Sequence, residues 1–193
     1  MTKTLVLLFH PNLSASTTNA AFAKAATTVE GVRVVDMQAR YPDGVIDMFT
    51  DAEVEAQMLL DTDRIVLQFP LQWYATPVLL KAWQDAVLTR MYYINAATEG
   101  ALLSGTPIMI AVTAGNVPDA YTPEGQNYYS IDALLTPLKA TAYRCGLPWH
   151  APYIIYNAGK LDPSALSAAA DGYADALRAF IAATAPKSTS QAA

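Results

Sequence analysis

The sequence predicts an α/β fold: a five-stranded parallel sheet with helices on both faces. Short apolar runs rich in β-branched residues alternate with segments of helical periodicity along the whole chain. Strand, helix, strand in repetition makes right-handed crossovers, which place helices on both sides of a parallel sheet. The chain also has 193 residues, 53% of them hydrophobic and only 15% charged, enough to bury a substantial core in one domain. No repeat, charge block or linker divides it, so residues 1–184 are expected to form a single domain and 185–193 a flexible, frayed tail.

The first strand covers Thr4 to Phe9, whose apolar run is shorter than a secretion-signal core and is closed by His10-Pro11. Ser16 caps an alanine-rich helix that extends to Thr28, and Val32 to Asp36 is the second strand. Thr50 with Glu53 has capping-box spacing ahead of Val54 to Leu60, and Arg64 to Phe69 is the third strand. Thr76-Pro77 combines a cap with a proline at the first helical position before Val78 to Leu88. Pro107 to Thr113 is the fourth strand, Ser130 opens a helix that Pro137 kinks or restarts, and Trp149 to Tyr156 is the fifth. Asp162-Pro163 repeats the cap-and-proline arrangement before Ser164 to Ala183. There Leu166, Ala170, Tyr173, Leu177 and Phe180 recur at helical spacing and form one apolar stripe for the sheet. All five strands read as buried.

Charge and composition narrow the function. Seventeen acidic residues against twelve basic ones give a net charge of -5, and the pI is near 4.8, opposite in sign to what a phosphate backbone attracts. Nucleic acid is therefore not an expected partner. One cysteine, Cys145, and two histidines, His10 and His150, are too few for a disulfide or the usual zinc sets, which points to a metal-free cytoplasmic protein. No stretch reaches the length of a membrane span. A high apolar fraction with eleven tyrosines and three tryptophans exceeds what one small core requires and predicts a homodimer.

In a parallel sheet the ligand belongs at the carboxyl ends of the strands, where the strand order reverses. Four loops are candidates. His10 to Asn19 is rich in hydroxyls and leads into a helix N-terminus, so Ser16, Thr17 and Thr18 with backbone N–H groups suit one phosphate; the alternative is a well-capped helix with a polar turn. Neither a G-x-G-x-x-G fingerprint nor a Walker A loop is present, which restricts such a phosphate to the flavin-mononucleotide kind. Gln68 to Pro77 sets Trp73 and Tyr74 between two prolines, suited either to wall a flat heterocycle or to form an interface. Thr113-Ala114-Gly115-Asn116, followed by Tyr121, Gly125 and Asn127, offers close backbone approach at Gly115 or is an ordinary strand-to-helix turn. Tyr92 to Asn95 carries aromatics without an acid-base pair and suits a dimer contact. His10 before a proline suits a general base or a hydrogen-bonded structural group, His150 has no evident partner, and Cys145 reads as an inert thiol. No serine lies in a G-x-S-x-G elbow, so hydrolysis lacks its nucleophile.

Taken together, His10-Pro11 with Ser16 and Asn19, Arg40-Tyr41-Pro42-Asp43 with Ile46-Asp47, and the long run QFPLQWYATPVLLKAWQDAVL from Gln68 to Leu88 resemble the flavodoxin-like NAD(P)H:quinone oxidoreductases. The likeness is to the branch that contains the ancillary subunits of glutathione-gated potassium efflux systems, and it continues through Tyr121, Leu135 to Leu138 and Cys145-Gly146-Leu147-Pro148-Trp149. The resemblance implies a flavodoxin-like fold, non-covalent FMN and a homodimer with its active sites at the interface. It implies that His10, Ser16, Thr17, Thr18 and Asn19 hold the phosphate end, that Pro70, Leu71, Gln72, Trp73 and Tyr74 border the isoalloxazine, and that Thr113, Ala114, Gly115 and Asn116 close its other side. The implied reaction is ping-pong, with NAD(P)H as electron donor and a quinone as two-electron acceptor.

Tyr121 and Asn127 are the catalytic candidates under the resemblance. Tyr121 occupies the family's tyrosine position, whereas Asn127 stands where many relatives have histidine, and Thr-Ala-Gly-Asn replaces the commoner Thr-Thr-Gly-Gly. A second class of function stays open: a flavin- or nucleotide-binding regulatory subunit docked on a potassium efflux transporter, peripheral to the inner face of the membrane. A one-electron flavodoxin carrier fits less well, because such carriers are usually far more acidic.

Overall fold

Unbroken apolar runs can lie only where both faces of a strand are covered, and this rule orders the sheet. The computed structural model describes residues 3–186. Its strands are β1 (Thr4–Leu8), β2 (Val32–Asp36), β3 (Arg64–Pro70), β4 (Ile108–Thr113) and β5 (Tyr153–Ile155), all parallel in the order β2-β1-β3-β4-β5. The three central strands are buried almost throughout, as their sequences require. The two edge strands are only partly covered, which corrects the expectation of five buried strands: an edge has one neighbour instead of two. β5 is also shorter than Trp149 to Tyr156. Trp149 makes a single bridge to Ile108, and Pro152, lacking an N–H, separates it from the ladder that resumes at Tyr153.

The helices are α1 (Thr17–Ala26), α2 (Met37–Arg40), α3 (Asp51–Leu60), α4 (Val78–Trp83), α5 (Ala101–Leu103), α6 (Ile131–Leu134), α7 (Thr136–Arg144) and α8 (Pro163–Ala183). Ser16 caps α1 by accepting from the Asn19 N–H at 3.2 Å, and Asp162 caps α8 by accepting from Ala165 at 2.8 Å. Ser130 caps α6, and the chain restarts as α7 with Pro137 in its first turn. Two expected caps are not formed. Thr50 donates its hydroxyl to Asp47, whose carboxylate also takes the Phe49 and Thr50 N–H groups at 2.8 Å, so the Thr50–Glu53 box gives way to an aspartate turn. Pro77, not Thr76, occupies the cap position of α4. α2, capped by Asp36, was not anticipated.

Beyond α4 the chain continues in wide helical turns to Ile94, breaks at Asn95 and resumes from Ala96 to Gly100, with Asn95 N–H bonded to Arg90 O and Gly100 N–H to Asn95 O, each five residues back. Tyr92 to Asn95 is therefore not a loop: Tyr92 and Tyr93 ride on a helical turn that ends at Asn95. Arg90 anchors the stretch to Glu99 at 2.9 Å and to Glu53 of α3 at 3.4 Å.

One face of the sheet is covered by α1 and α8, where Val6, Val66, Phe22, Tyr173 and Leu177 interlock. On α8, Tyr173, Leu177 and Phe180 are buried as expected, Ala169 and Ala174 join them, and Leu166 and Ala170 are half-buried. The opposite face carries Leu7, Phe9, Leu59, Trp83 and Leu138 in the larger core. Within it the buried Glu55 accepts from Arg40 Nε at 2.6 Å, Tyr41 Oη at 2.9 Å and Trp83 Nε1 at 3.0 Å, so its charge is paired and hydrogen-bonded. Ala185 and Pro186 are exposed, and the rest of the expected tail lies outside the described residues. The chain leaves β1 toward one edge and β3 toward the other, which opens a crevice between their carboxyl ends.

Candidate functional site

Where the loop after β1 enters α1, two polar side chains turn inward while Asn12, Ser14 and Thr17 stay exposed. Asn19 is 2% exposed; its Nδ2 donates to Thr113 Oγ1 at 3.0 Å, and Gln68 Nε2 donates to its backbone oxygen at 3.0 Å. The Thr18 hydroxyl, also buried, donates to Ala158 O in the loop after β5. Ser16 is half-buried and Thr17 exposed at the first turn of α1, where N–H groups lack intrahelical acceptors. The Asn12 N–H donates to His10 Nδ1 at 3.1 Å, which leaves Nε2 as the proton-bearing nitrogen of a neutral ring. Burial pushes the His10 pKa below the ordinary histidine value.

The loop after β3 is a two-residue hairpin. Gln72 and Ala75 exchange both backbone hydrogen bonds at 3.0 Å, and the Leu71 N–H bonds to Thr113 O at 2.8 Å. Trp73 and Tyr74 fill the two corner positions with φ of 44° and 64°, a left-handed pair usually left to asparagine and glycine. Trp73 is 93% exposed, so its indole projects from a turn that the backbone and the flanking Pro70 and Pro77 hold in place. The Tyr74 hydroxyl reaches across to Asn127 Oδ1 at 3.2 Å.

The loop after β4 is tied to the loop after β5: Ala114 N–H donates to Ile155 O at 2.7 Å, Ala158 N–H to Ala114 O and Asn157 N–H to Asn116 O at 3.0 Å. Ala114 points into the larger core, away from the crevice. Gly115 is exposed with an ordinary φ, and a Cβ added there would meet no protein atom within 4 Å. Gly125 is the opposite case: a Cβ there would lie 2.2 Å from Asp119 O, so only glycine lets the loop fold back and bring the Asn127 N–H onto Ala120 O at 2.7 Å. Tyr121 is 8% exposed and packs against Tyr156, with ring centroids 5.6 Å apart. Burial pushes its pKa above that of an ordinary tyrosine, while the Asn116 backbone pulls the other way, so at neutral pH it keeps its proton.

These loops line an open cavity of about 450 Å³ at the carboxyl ends of β3 and β4. Leu71, Trp73 and Tyr74 form one wall and Gly115, Asn116, Tyr121 and Asn127 another; Gln126 and Lys160 complete it. Five cofactor-binding candidates from two separate loops, Leu71, Trp73, Tyr74, Gly115 and Asn116, and the catalytic candidates Tyr121 and Asn127 thus share one space. His10, two residues past β1, and Ser16 and Thr17, at the start of α1, do not line this cavity, while Thr18, Asn19, Thr113 and Ala114 are buried. Gln126 and Lys160 are new members. No local pattern marks either one, because Lys160 follows β5 and reaches the site only through the bonds between Asn157, Ala158 and the β4 loop. No described helix is long and apolar enough to cross a membrane.

A family profile described as a flavodoxin-like fold matches residues 2–179. General stress protein 14 of Bacillus subtilis (strain 168) is 41% identical over 155 residues, covering 80% of this chain and 85% of its own length. The glutathione-regulated potassium-efflux system ancillary protein KefG of Pectobacterium carotovorum subsp. carotovorum (strain PC1) is 37% identical over 173 residues, covering 90% and 91%. Among solved structures, general stress protein 14 from Treponema denticola in complex with FMN is similar with a TM-score of 0.82 at 30% identity, over 92% of this chain and 99% of that one. An NADPH-quinone reductase from P. pentosaceus is similar with a TM-score of 0.76 at 26% identity, over 90% and 96%.

Proposed function

The chain belongs to the flavodoxin-like family, and on that premise we propose that it is an FMN-dependent oxidoreductase that takes hydride from NAD(P)H and delivers two electrons to a quinone or similar flat acceptor in a ping-pong cycle. The observation that carries the reading is the cavity bordered by Trp73, Tyr74, Gly115 and Tyr121 at the strand ends. The residues present fit FMN. The Cβ direction of Gly115 is open, the first turn of α1 offers N–H groups beside two hydroxyls, and the Trp73–Tyr74 turn presents flat apolar surface. FMN supplies, when bound, the capacity to accept a hydride and to release two electrons.

The protein's own residues bind and orient. Ser16 and Thr17 with the first-turn N–H groups hold the phosphate, His10 adds Nε2–H as a donor, and the side chains of Thr18 and Asn19 fasten that turn to the sheet. Leu71, Trp73 and Tyr74 border the ring from one side and Gly115 and Asn116 from the other; Pro70 and Gln72 shape the first turn, and the buried Thr113 and Ala114 support the second from beneath. Tyr121, held neutral by burial, keeps a proton at its hydroxyl for the acceptor oxygen. Asn127, its carbonyl oxygen engaged by Tyr74, keeps its NH₂ group as a donor that does not change charge.

The chain works as a homodimer in the cytoplasm: Trp73, Val78, Tyr93 and Ile94 are exposed, and an apolar groove of about 620 Å³ shares Leu71 and Tyr74 with the cavity. Titration with FMN should quench flavin fluorescence at one equivalent per chain, NADPH should then bleach the bound flavin anaerobically, and light scattering should give twice 20.7 kDa. Double-reciprocal plots against quinone should be parallel, and intersecting lines would replace ping-pong with a ternary complex. No FMN binding at high micromolar concentration would end the enzyme reading. The likeness to KefG favours a second reading, a subunit docked on a potassium-efflux transporter, which co-purification with such a transporter tests.

A further inference from the structure

One backbone group decides how the rim of the cavity is polarised. The Val117 N–H can only donate, so the Asn116 atom it meets at 2.9 Å is Oδ1. Asn116 must then donate onward through Nδ2, and the Gln126 atom that accepts at 3.1 Å is Oε1. This leaves the Gln126 NH₂ group without an acceptor among the described residues, on a side chain that lines the cavity. Asn127 has its oxygen engaged by Tyr74 in the same way. Lys160 brings an ammonium group to this rim and forms no salt bridge among the described residues. Among the described residues no carboxylate lines the cavity; Asp119 and Glu124, on the same loop, are exposed outside its lining. On a chain of net charge -5, the local balance is inverted.

We propose that Gln126, Asn127 and Lys160 form an anion-reading edge of the cavity, and that Lys160 is its specificity-determining residue for a ligand bearing anionic oxygen. The inference deepens the flavin-enzyme reading, which supplies two ligands of that chemistry: the bound isoalloxazine, whose carbonyl edge gathers negative charge, and the phosphates of the nicotinamide donor. An oriented amide donor costs nothing to reorganise when charge arrives, and an ammonium beside it adds attraction that water and salt partly screen.

Two measurements on Lys160→Met and Lys160→Arg decide it. In FMN-free protein, NADPH binding is followed by quenching of tryptophan fluorescence, with Trp73 standing at the rim. In FMN-loaded protein, sulfite, which adds to bound flavin as an anion, is titrated by absorbance. If the edge reads the donor's phosphates, Lys160→Met weakens NADPH about tenfold, the size of one charged hydrogen bond, and leaves a neutral N-alkyl dihydronicotinamide unaffected. If it reads the ring, sulfite affinity falls by a similar factor. In either case Lys160→Arg restores the wild-type value, and the difference shrinks with added salt. Changes below about twofold in both measurements, against about 1.4 kcal/mol per factor of ten, overturn the proposal. Failure of the wild type to bind FMN ends the flavin reading, while the NADPH measurement still decides the role of Lys160.

Discussion

The loops that follow β1 and β3 leave neighbouring strands at the same crevice and use their side chains in opposite directions. After β1, the connection ends in the first turn of α1, where the buried side chains of Thr18 and Asn19 bond to Ala158 and to Thr113 and so anchor it. After β3, backbone bonds between Gln72 and Ala75 hold the turn, and Trp73 and Tyr74 stand exposed in a left-handed conformation that costs roughly 1–2 kcal/mol per residue. A loop held by its side chains has few to spare for a ligand. A loop held by its backbone can present all of them, and strain at a candidate binding turn is the cost of that freedom.

Asn19→Ala should break the first loop most severely. It removes the partner of Thr113 Oγ1 and one of two acceptors of Gln68 inside the core, and urea unfolding should show a loss of about 2–3 kcal/mol, with FMN affinity falling alongside. An unchanged midpoint would mean that the buried network does not fasten the loop. At the cavity, Tyr121→Phe should lower the oxidative half-reaction about tenfold, as expected for one lost proton donor, and the reductive half-reaction less. Asn127→His should add an ionisation near pH 6–7, roughly the range of a free imidazole, to the quinone rate. Stopped-flow traces that show neither change would place both residues outside the reaction.

The second loop should respond in the opposite sense. Trp73→Asn relieves a bulky residue at φ 44° and should raise stability by roughly 0.5–1 kcal/mol while weakening FMN binding. A lower melting temperature in this variant would remove the strain argument. The smallest effect separates the loops by pH. His10 resists protonation in the native state, so its contribution to stability is complete above the unfolded pKa of 6.5 and is lost as pH falls below it toward the depressed native value. His10→Gln should flatten the acid side of the stability profile, whereas Trp73→Asn should leave its slope unchanged.

The same contrast explains which parts of the molecule were legible beforehand. Ser16 and Asp162 cap their helices as their spacing predicts, because nothing nearby competes for those N–H groups. Thr50 has an equally good pattern and fails, since Asp47 offers a stronger acceptor three residues earlier. Tyr92 to Asn95 looked like a loop because its helical turns are stabilised from outside, by Arg90 bridging Glu99 and Glu53. At the site, Trp73, Tyr74, Gly115, Asn116, Tyr121 and Asn127 stood out by type and position and share the cavity. The buried fates of Thr18 and Asn19 were not visible, nor was Lys160 at the rim.

Alternation of apolar runs with helical periods already dictates a parallel sheet, its covered faces and the edge at which a ligand must sit. Those properties follow from local repeats and the handedness of crossovers, which need no partner elsewhere in the chain. Which polar atoms are consumed and which remain for a ligand depends on pairings between distant segments: Asn19 with Thr113, Tyr74 with Asn127, Asn157 with Asn116. A hydrogen-bonding group shows the same face in any sequence. Its partner, and so its direction, exists only after the strands have brought the loops together.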